Sequence, residues 1–319
     1  MLKRLMVALA LAVLAIGGAQ AQEWPNRTIR IIAPFAPGGS VDIVARILAQ
    51  KMTESFGQSV VVENRSGASG MIGAESVAKA APDGYTLLVN SSIHVIVPSL
   101  FSKITYNAID DFVAVGQATE VPMVMLTGSG NKARTVADVI AWAKAEPGLA
   151  YASAGNGSST HLAGEVFKKV ASVNLTHIPY KGSGAAMADV IGGQVPLMFD
   201  ALTAAMGNVQ SGRMRALAVS SKKRSPILPD VPTFQEINMP QMNLSTWHGM
   251  WAPKGTPPEI VRKLNAEIVR IVSLPDVAEK IRGLGGIPVG NTPAEFDAYQ
   301  RSEFEKWSRI VKESGAKVD

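Results

Sequence analysis

Short apolar runs alternate with amphipathic stretches along this chain, and that alternation restricts its fold more than any other feature. Thr28 to Ala33 reads as a strand, Pro34 to Gly39 as a loop, and Ser40 as the start of a helix. Val41, Val44, Leu48 and Met52 fall on one face of that helix, and Gly57 ends it. Val60 to Val62 is the next strand. The glycine-rich loop from Gly67 to Gly73 follows, then a short helix from Ala74 to Ala80 closed by the turn Pro82-Asp83-Gly84. Tyr85 to Val89 is a third strand. Strand, helix and strand in this order build a parallel or mixed sheet flanked by helices.

A second unit of the same α/β kind begins near Val121. Val121 to Thr127, Tyr151 to Ser153, Val195 to Phe199 and Arg215 to Ser220 read as strands. Val136 to Lys144, Ser158 to Ala171 and Ser183 to Ile191 read as helices, the second with Leu162, Val166, Phe167 and Val170 inward. Beyond the proline-rich stretch from Pro226 to Pro240 come a strand at Trp247 to Ala252 and two helices, Pro258 to Val272 and Thr292 to Glu313. A helical return after the second unit predicts two lobes joined by more than one crossing, with a hinge and a cleft between them.

Three loops share one design: a strand, then Gly and Ser residues, then a helix start. They are Pro37-Gly38-Gly39-Ser40, Gly155-Asn156-Gly157-Ser158-Ser159-Thr160 and Lys181-Gly182-Ser183-Gly184. A helix N-terminus leaves backbone N–H groups unpaired and carries positive partial charge, so such loops suit an anion. Ser40, Ser158 and Ser183 are equally ordinary N-caps when taken singly. Ligands of open α/β sheets bind where the strands end, which is where all three loops sit. Cations are scarce there. Lys181 alone lies in one of the loops and has room to point to solvent, so oriented dipoles and hydroxyls are expected to hold the charge. Asp42 is expected to turn back onto its own loop. Asp200 follows a buried apolar strand, where it either caps the next turn or accepts a hydrogen bond from a ligand.

Other chemistry finds little support. There is no GxxxxGK[ST], no GxGxxG after the first strand and no GxSxG. The four histidines, His94, His161, His177 and His248, lack the spacing of a helical metal motif, and there is no cysteine. No metal, cofactor or catalytic residue is expected, although His161, a serine and Asp200 could be imagined as a triad. The formal charge is +5, and no basic run exceeds Lys222-Lys223-Arg224, so nucleic acid is not an expected partner.

Lys3-Arg4, the apolar run Leu5 to Ile16 and the small residues ending at Ala21 form a secretory signal with cleavage after Ala21. The apolar core is shorter than the roughly 20 residues a membrane span needs. Residues 22–319 are therefore expected to work in the periplasm. With no cysteine, they are held by the core alone.

Several strings resemble one family. They are Trp24-Pro25, Pro34-Phe35-Ala36-Pro37-Gly38-Gly39-Ser40-Val41-Asp42, Val62-Glu63-Asn64-Arg65 with Gly67-Ala68-Ser69-Gly70, and Ala81-Pro82-Asp83-Gly84-Tyr85-Thr86-Leu87. Pro179-Tyr180-Lys181-Gly182 and Trp247 to Pro257 continue the match. The chain is similar throughout to the Bordetella uptake gene (Bug) family, the substrate-binding proteins of tripartite tricarboxylate transporters.

The resemblance implies a two-lobed periplasmic-binding-protein fold (type II-like), each lobe a mixed sheet flanked by helices. Residues 22–121 and 246–319 would form the first lobe and 122–245 the second. It implies flytrap closure on a small organic carboxylate held by backbone amides and waters, in a chain expected to act as a monomer with integral-membrane permease subunits as partners. Carried onto this sequence, the carboxylate loop is Phe35, Ala36, Gly38, Gly39 and Ser40. Ser91 and Ser92 would join it, with Ser153, Gly155, Thr160 and His161 from the second lobe. Tyr180, Lys181, Gly182 and Asp200 would complete the cleft. Two places depart from the family pattern: Ala36 stands where a proline is frequent, and Ser91-Ser92-Ile93-His94-Val95 differs from its usual variants. The rival readings are a binding protein reporting to a sensor kinase and an exported serine hydrolase.

Overall fold

The computed structural model describes residues 24–314. The expected signal segment, residues 1–21, lies outside them. In chain order the elements begin β1 (Ile29–Ala33), α1 (Ser40–Phe56), β2 (Val60–Asn64), α2 (Met71–Ala78), β3 (Thr86–Ser91), α3 (Ile93–Ile96) and β4 (Phe112–Gly128). Next come α4 (Val136–Ala145), β5 (Leu149–Ser153), α5 (Ser159–Ala171), β6 (Leu175–Pro179), α6 (Ser183–Ile191), β7 (Leu197–Ala201), α7 (Leu202–Gln210) and β8 (Met214–Val219). The chain closes with β9 (Ser245–Pro253), α8 (Pro258–Ser273), α9 (Pro275–Gly283), β10 (Ile287–Pro288) and α10 (Pro293–Ser314).

Helix α1 shows how sequence becomes structure here. Its predicted stripe, Val41, Val44, Leu48 and Met52, is at most 5% exposed. Each such side chain contributes about 1.5–3 kcal/mol on burial. Gly57 stops the helix in the left-handed region at φ 64°, and its N–H reaches the Thr53 carbonyl.

β1 pairs in parallel with β2 and β3, and β3 pairs antiparallel with β9. Sequence reading started a new strand near Val121. Instead β4 runs unbroken for 17 residues. Its first part, Phe112 to Pro122, pairs with β9, and its last part pairs with β7 and β8. β7 then continues in parallel to β5, and β5 to β6. One strand therefore carries the sheet from the first half of the molecule into the second, and irregularities near Ala114–Gly116 and Gln117–Thr119 bend it. The result is the two-lobed α/β fold expected from the sequence.

Five elements went unforeseen: α3, β6, α7, α9 and β10. Several boundaries moved as well, two of them beside the Gly-rich loops and the cleft. The helix expected at Ala74 begins at Met71, and Asp200 lies within β7 rather than after it. Val166 and Val170, expected inward on α5, are only half-buried, whereas Leu162 and Phe167 are fully buried.

The C-terminal helix α10 locks the back of the molecule. Trp247 and Trp251 on β9 are fully buried, and their indole N–H groups donate to Glu303 Oε2 (2.9 Å) and Gln300 Oε1 (2.8 Å) of α10. α10 also packs on α5 of the other lobe, where Lys169 Nζ donates to the Glu313 carbonyl at 3.3 Å. Among the described residues, no helix is long and apolar enough to cross a membrane.

Candidate functional site

The loop after β1 is shaped by a buried carboxylate. Asp42, in the first turn of α1, turns back as expected: Oδ2 accepts the Gly38 N–H and Arg46 Nε, both at 3.0 Å. Oδ1 accepts Asn64 Nδ2 at 2.9 Å, and that same amide donates to the Phe35 carbonyl at 3.0 Å. Burial works to raise the Asp42 pKa, but the bonds from Arg46, Gly38 and Asn64 outweigh it and hold the carboxyl below its ordinary range. Its charge is used up within lobe 1. The N-cap of α1 is Gly39, with no side-chain cap. The first-turn amides of α1 are left to the cleft.

The loop after β5 is knitted by its own hydroxyls. Ser153 Oγ donates to the Gly155 carbonyl and accepts the Gly155 N–H, each at 3.1 Å, and stands 2.6 Å from His177 Nε2. Ser158 caps α5 by accepting the His161 N–H at 3.1 Å, and Thr160 Oγ1 accepts the Ala154 N–H at 3.1 Å. His161 is 5% exposed, and its Nδ1 accepts the Gly157 N–H at 3.1 Å. Its ring stacks on His177 at 3.9 Å. Burial pushes His161 down to about 4 and His177 to about 3, so both are neutral at physiological pH.

The loop after β6 opens α6 at Gly182, whose φ of 130° is a conformation side chains resist. This N-cap too has no side-chain cap. Ser183 Oγ donates to Asp200 Oδ1 at 2.8 Å, and the Ala201 N–H donates to the same oxygen at 2.7 Å. Asp200 Oδ2 has no partner among the described protein atoms. Asp200 is 1% exposed, and burial pushes its carboxyl up to about 7 against the lowering effect of Ser183 and Ala201.

These three loops meet around one narrow cavity of about 30 Å³, partly open to solvent, which is room for little more than a water molecule until the loops part. Of the residues expected at the site, Phe35, Gly39, Ser40, Ser91, Thr160, Gly182 and Asp200 line it. Ala36, Gly38, Ser92, Ser153, Gly155, His161, Tyr180 and Lys181 stand outside that lining. Ser92 stands 3.0 Å, hydroxyl to hydroxyl, from the lining residue Thr246. Ser153, Gly155 and His161 hold the β5 loop from behind. Tyr180 donates its hydroxyl to Asp189 at 2.6 Å, and the Lys181 side chain is exposed.

Ala36 and Lys181 do meet through their backbones. The Ala36 N–H donates to the Lys181 carbonyl at 3.4 Å, directly across the cleft. A Cβ placed on Gly39 would lie 3.9 Å from Ser183 N and Cβ. Two uncapped helix N-termini, one from each lobe, thus face each other across the cavity.

The sequence signals do not mark Val41, Ala154, Ala201 and Thr246 as lining residues, nor the support of Ser40 by His248. His248 Nε2 lies 3.0 Å from Ser40 Oγ, and its Nδ1 lies 2.9 Å from Thr119 Oγ1. Burial pushes it down to about 3, so it is a neutral hydrogen-bonding group. Nothing local in the sequence marks this pair, because the residues are 208 positions apart. The imagined triad is not assembled: His161 bonds to Gly157, and Asp200 to Ser183 and Ala201. Among the described residues, no group of acidic, His or Cys side chains could hold a metal ion.

Comparison with known proteins accords with this geometry. The family model described as "Tripartite tricarboxylate transporter family receptor" matches residues 44–316. Protein BugT of Bordetella pertussis is 40% identical over 301 residues, 93% of this chain and 92% of that protein. An R. palustris structure with adipate superposes with a TM-score of 0.90 at 34% identity, covering 93% of this chain and 100% of that one. MatC from Rhodopseudomonas palustris, with bound malate, gives 0.86 at 32% identity over 90% and 100% of the two chains.

Proposed function

This chain belongs to the tripartite tricarboxylate transporter receptor family of periplasmic solute-binding proteins, and on that premise we propose that its cleft captures a small organic carboxylate. The loaded protein then hands its solute to the integral-membrane permease subunits of a tripartite tricarboxylate-type transporter. Cleavage after Ala21 would release it into the periplasm. Residues 22–121 with 246–319 act as one lobe and 122–245 as the other, closing about the crossings in β4 and β9.

One observation carries the ligand class. The N-termini of α1, α5 and α6 reach a single cavity that no Lys or Arg side chain lines. Three converging N-termini repel one another electrostatically unless negative charge sits between them. Hydroxyls of Ser40, Ser91, Ser158, Ser159, Thr160 and Thr246 add donors around the same space. Water can bridge whatever these groups do not reach. The adipate and malate of the two relatives are both dicarboxylates, which supports the same class here.

A thermal-shift screen against mono-, di- and tricarboxylates, aromatic acids and acidic amino acids tests the proposal. Ligand at 100 times its Kd adds about 2.7 kcal/mol to stability. Stabilisation by one acid, followed by saturable binding with the acid recovered unchanged, is the expected result. Stabilisation by none of these acids would overturn it.

A further inference from the structure

We propose that Asp200 holds a proton when the cleft is loaded and donates it to a carboxylate oxygen of the ligand, so that capture of the anion takes up one proton. This rests on the carboxylate reading above. The geometry is specific. Asp200 sits on β7 at the floor of the cavity, 1% exposed. Both of its protein bonds fall on Oδ1, from Ser183 and the Ala201 amide. Oδ2 is buried without a protein partner. A buried carboxyl oxygen left so is costly, and the cavity is where a partner can come from.

Asp200 is the one ionisable side chain lining this cavity. The elements packed around it present no countercharge. β4 offers Val124 opposite it in register, α6 offers Ser183, and the start of α7 offers Leu202 and Thr203. Ser40 faces the cavity from α1, with His248 neutral behind it. Lys181 is exposed on the loop surface.

An ionised Asp200 and an ionised ligand would therefore share one cleft with no cationic side chain between them. Two carboxylates in one site settle the conflict by sharing a proton. Burial already pushes Asp200 to about 7, near the point where holding that proton is easy. The helix N-termini alone favour its ionised form. An anion seated against them reverses the local potential and draws the proton on. The bond then runs from Asp200 Oδ2–H to a ligand oxygen, with the proton supplied by solvent during closure.

The experiment is calorimetry on the wild-type protein with malate, adipate and acetate as probes, at pH 7.5, 8.0 and 8.5. Each titration is run in phosphate and in Tris, whose ionisation enthalpies differ. All three acids are fully ionised across this range. The expected result is uptake of close to one proton per ligand at pH 8.0, with affinity falling by about 5- to 10-fold from pH 7.5 to 8.5. Asp200→Asn should bind with no proton uptake and a flat pH profile, because its amide donates without titrating. If that variant fails to fold, the wild-type heats alone decide. Equal buffer-corrected heats with a flat wild-type profile would overturn the inference while leaving the carboxylate reading intact. Tighter binding at higher pH would also overturn it, since capture would then release a proton instead of taking one up. No heat from any of the three acids would count against the carboxylate reading, and this inference would fall with it.

Discussion

Replacing Gly39 with valine should separate binding from folding. Gly39 is the N-cap of α1 at φ −81° and ψ 169°, a conformation that any residue adopts. An added Cβ meets nothing closer than 3.9 Å, from Ala36 O and from Ser183 on the other lobe. The fold therefore accommodates the new atom. Losing glycine at an N-cap costs under about 1 kcal/mol, and reduced freedom of the unfolded chain returns about 0.4–1 kcal/mol. The two nearly cancel, so the melting temperature of the free protein should stay within a few degrees. The γ-methyl groups reach one bond further, into space that closure and ligand both need. Overpacking of that kind costs about 1–3 kcal/mol, which is a 5- to 150-fold loss of affinity at about 1.4 kcal/mol per tenfold. Calorimetry with the best acid from the screen, alongside thermal unfolding without ligand, reads both quantities. Affinity within twofold of wild type would refute the argument that solute sits against the α1 N-terminus. A collapse of the free protein's melting temperature would refute the claim that Gly39 is spared for the ligand rather than for the fold.

Four further outcomes follow from the same geometry. Lys181→Ala should cost less than about 1 kcal/mol of binding, because the side chain is exposed and outside the cavity; a larger loss in calorimetry would make it the anchoring cation. The Asp200 carboxyl is raised from 3.8 to about 7 on folding, so its contribution to stability is complete below pH 4 and lost as pH rises through 7. Asp200→Asn should accordingly match wild type in denaturant unfolding at pH 4 and exceed it at pH 8, by about 4 kcal/mol at most. Gly164→Ala should destabilise by about 1–3 kcal/mol, because its Cβ would lie 2.1 Å from Cε2 of the buried Tyr151, and thermal unfolding reads this directly. Small-angle scattering should show a larger radius without ligand than at saturation, as the Ala36–Lys181 backbone contact opens and closes; an unchanged radius would count against closure.

Elements written by a single periodicity were legible in the sequence. Helix α1 shows this, with its stripe and glycine stop, and so does α6, whose predicted limits at Ser183 and Ile191 are those observed. The elements that escaped have weak local signals. β6, Leu-Thr-His-Ile-Pro, ends in proline and alternates poorly, yet pairs with β5 along its whole length. α7 is built of small residues around Gly207, and α9 is cut from α8 only by Leu274-Pro275. β4 looked like a fresh start near Val121 because polar Gln117, Thr119 and Glu120 and then Pro122 interrupt its apolar run. In the folded chain Gln117 and Thr119 are 3% and 1% exposed. They are satisfied from far away, through Asn291 Oδ1 to the Gln117 N–H and through His248 to Thr119.

By itself the sequence determined the alternation of strands and helices, the two units, and three Gly-Ser loops that each open a helix. It determined these because backbone freedom, side-chain period and capping chemistry act within a few residues. Which loops share a cavity was decided only by the tertiary structure. β4 runs on from its pairing with β9 to its pairing with β7 and β8, the starts of α1, α5 and α6 come together at one cavity, and His248 is carried to Ser40 from 208 positions away. The same packing placed His161 behind a loop instead of in the cleft, and left Asp200 with one oxygen bonded and one bare. Contacts of that range depend on the summed burial of the whole sheet, and no local window of sequence contains that sum.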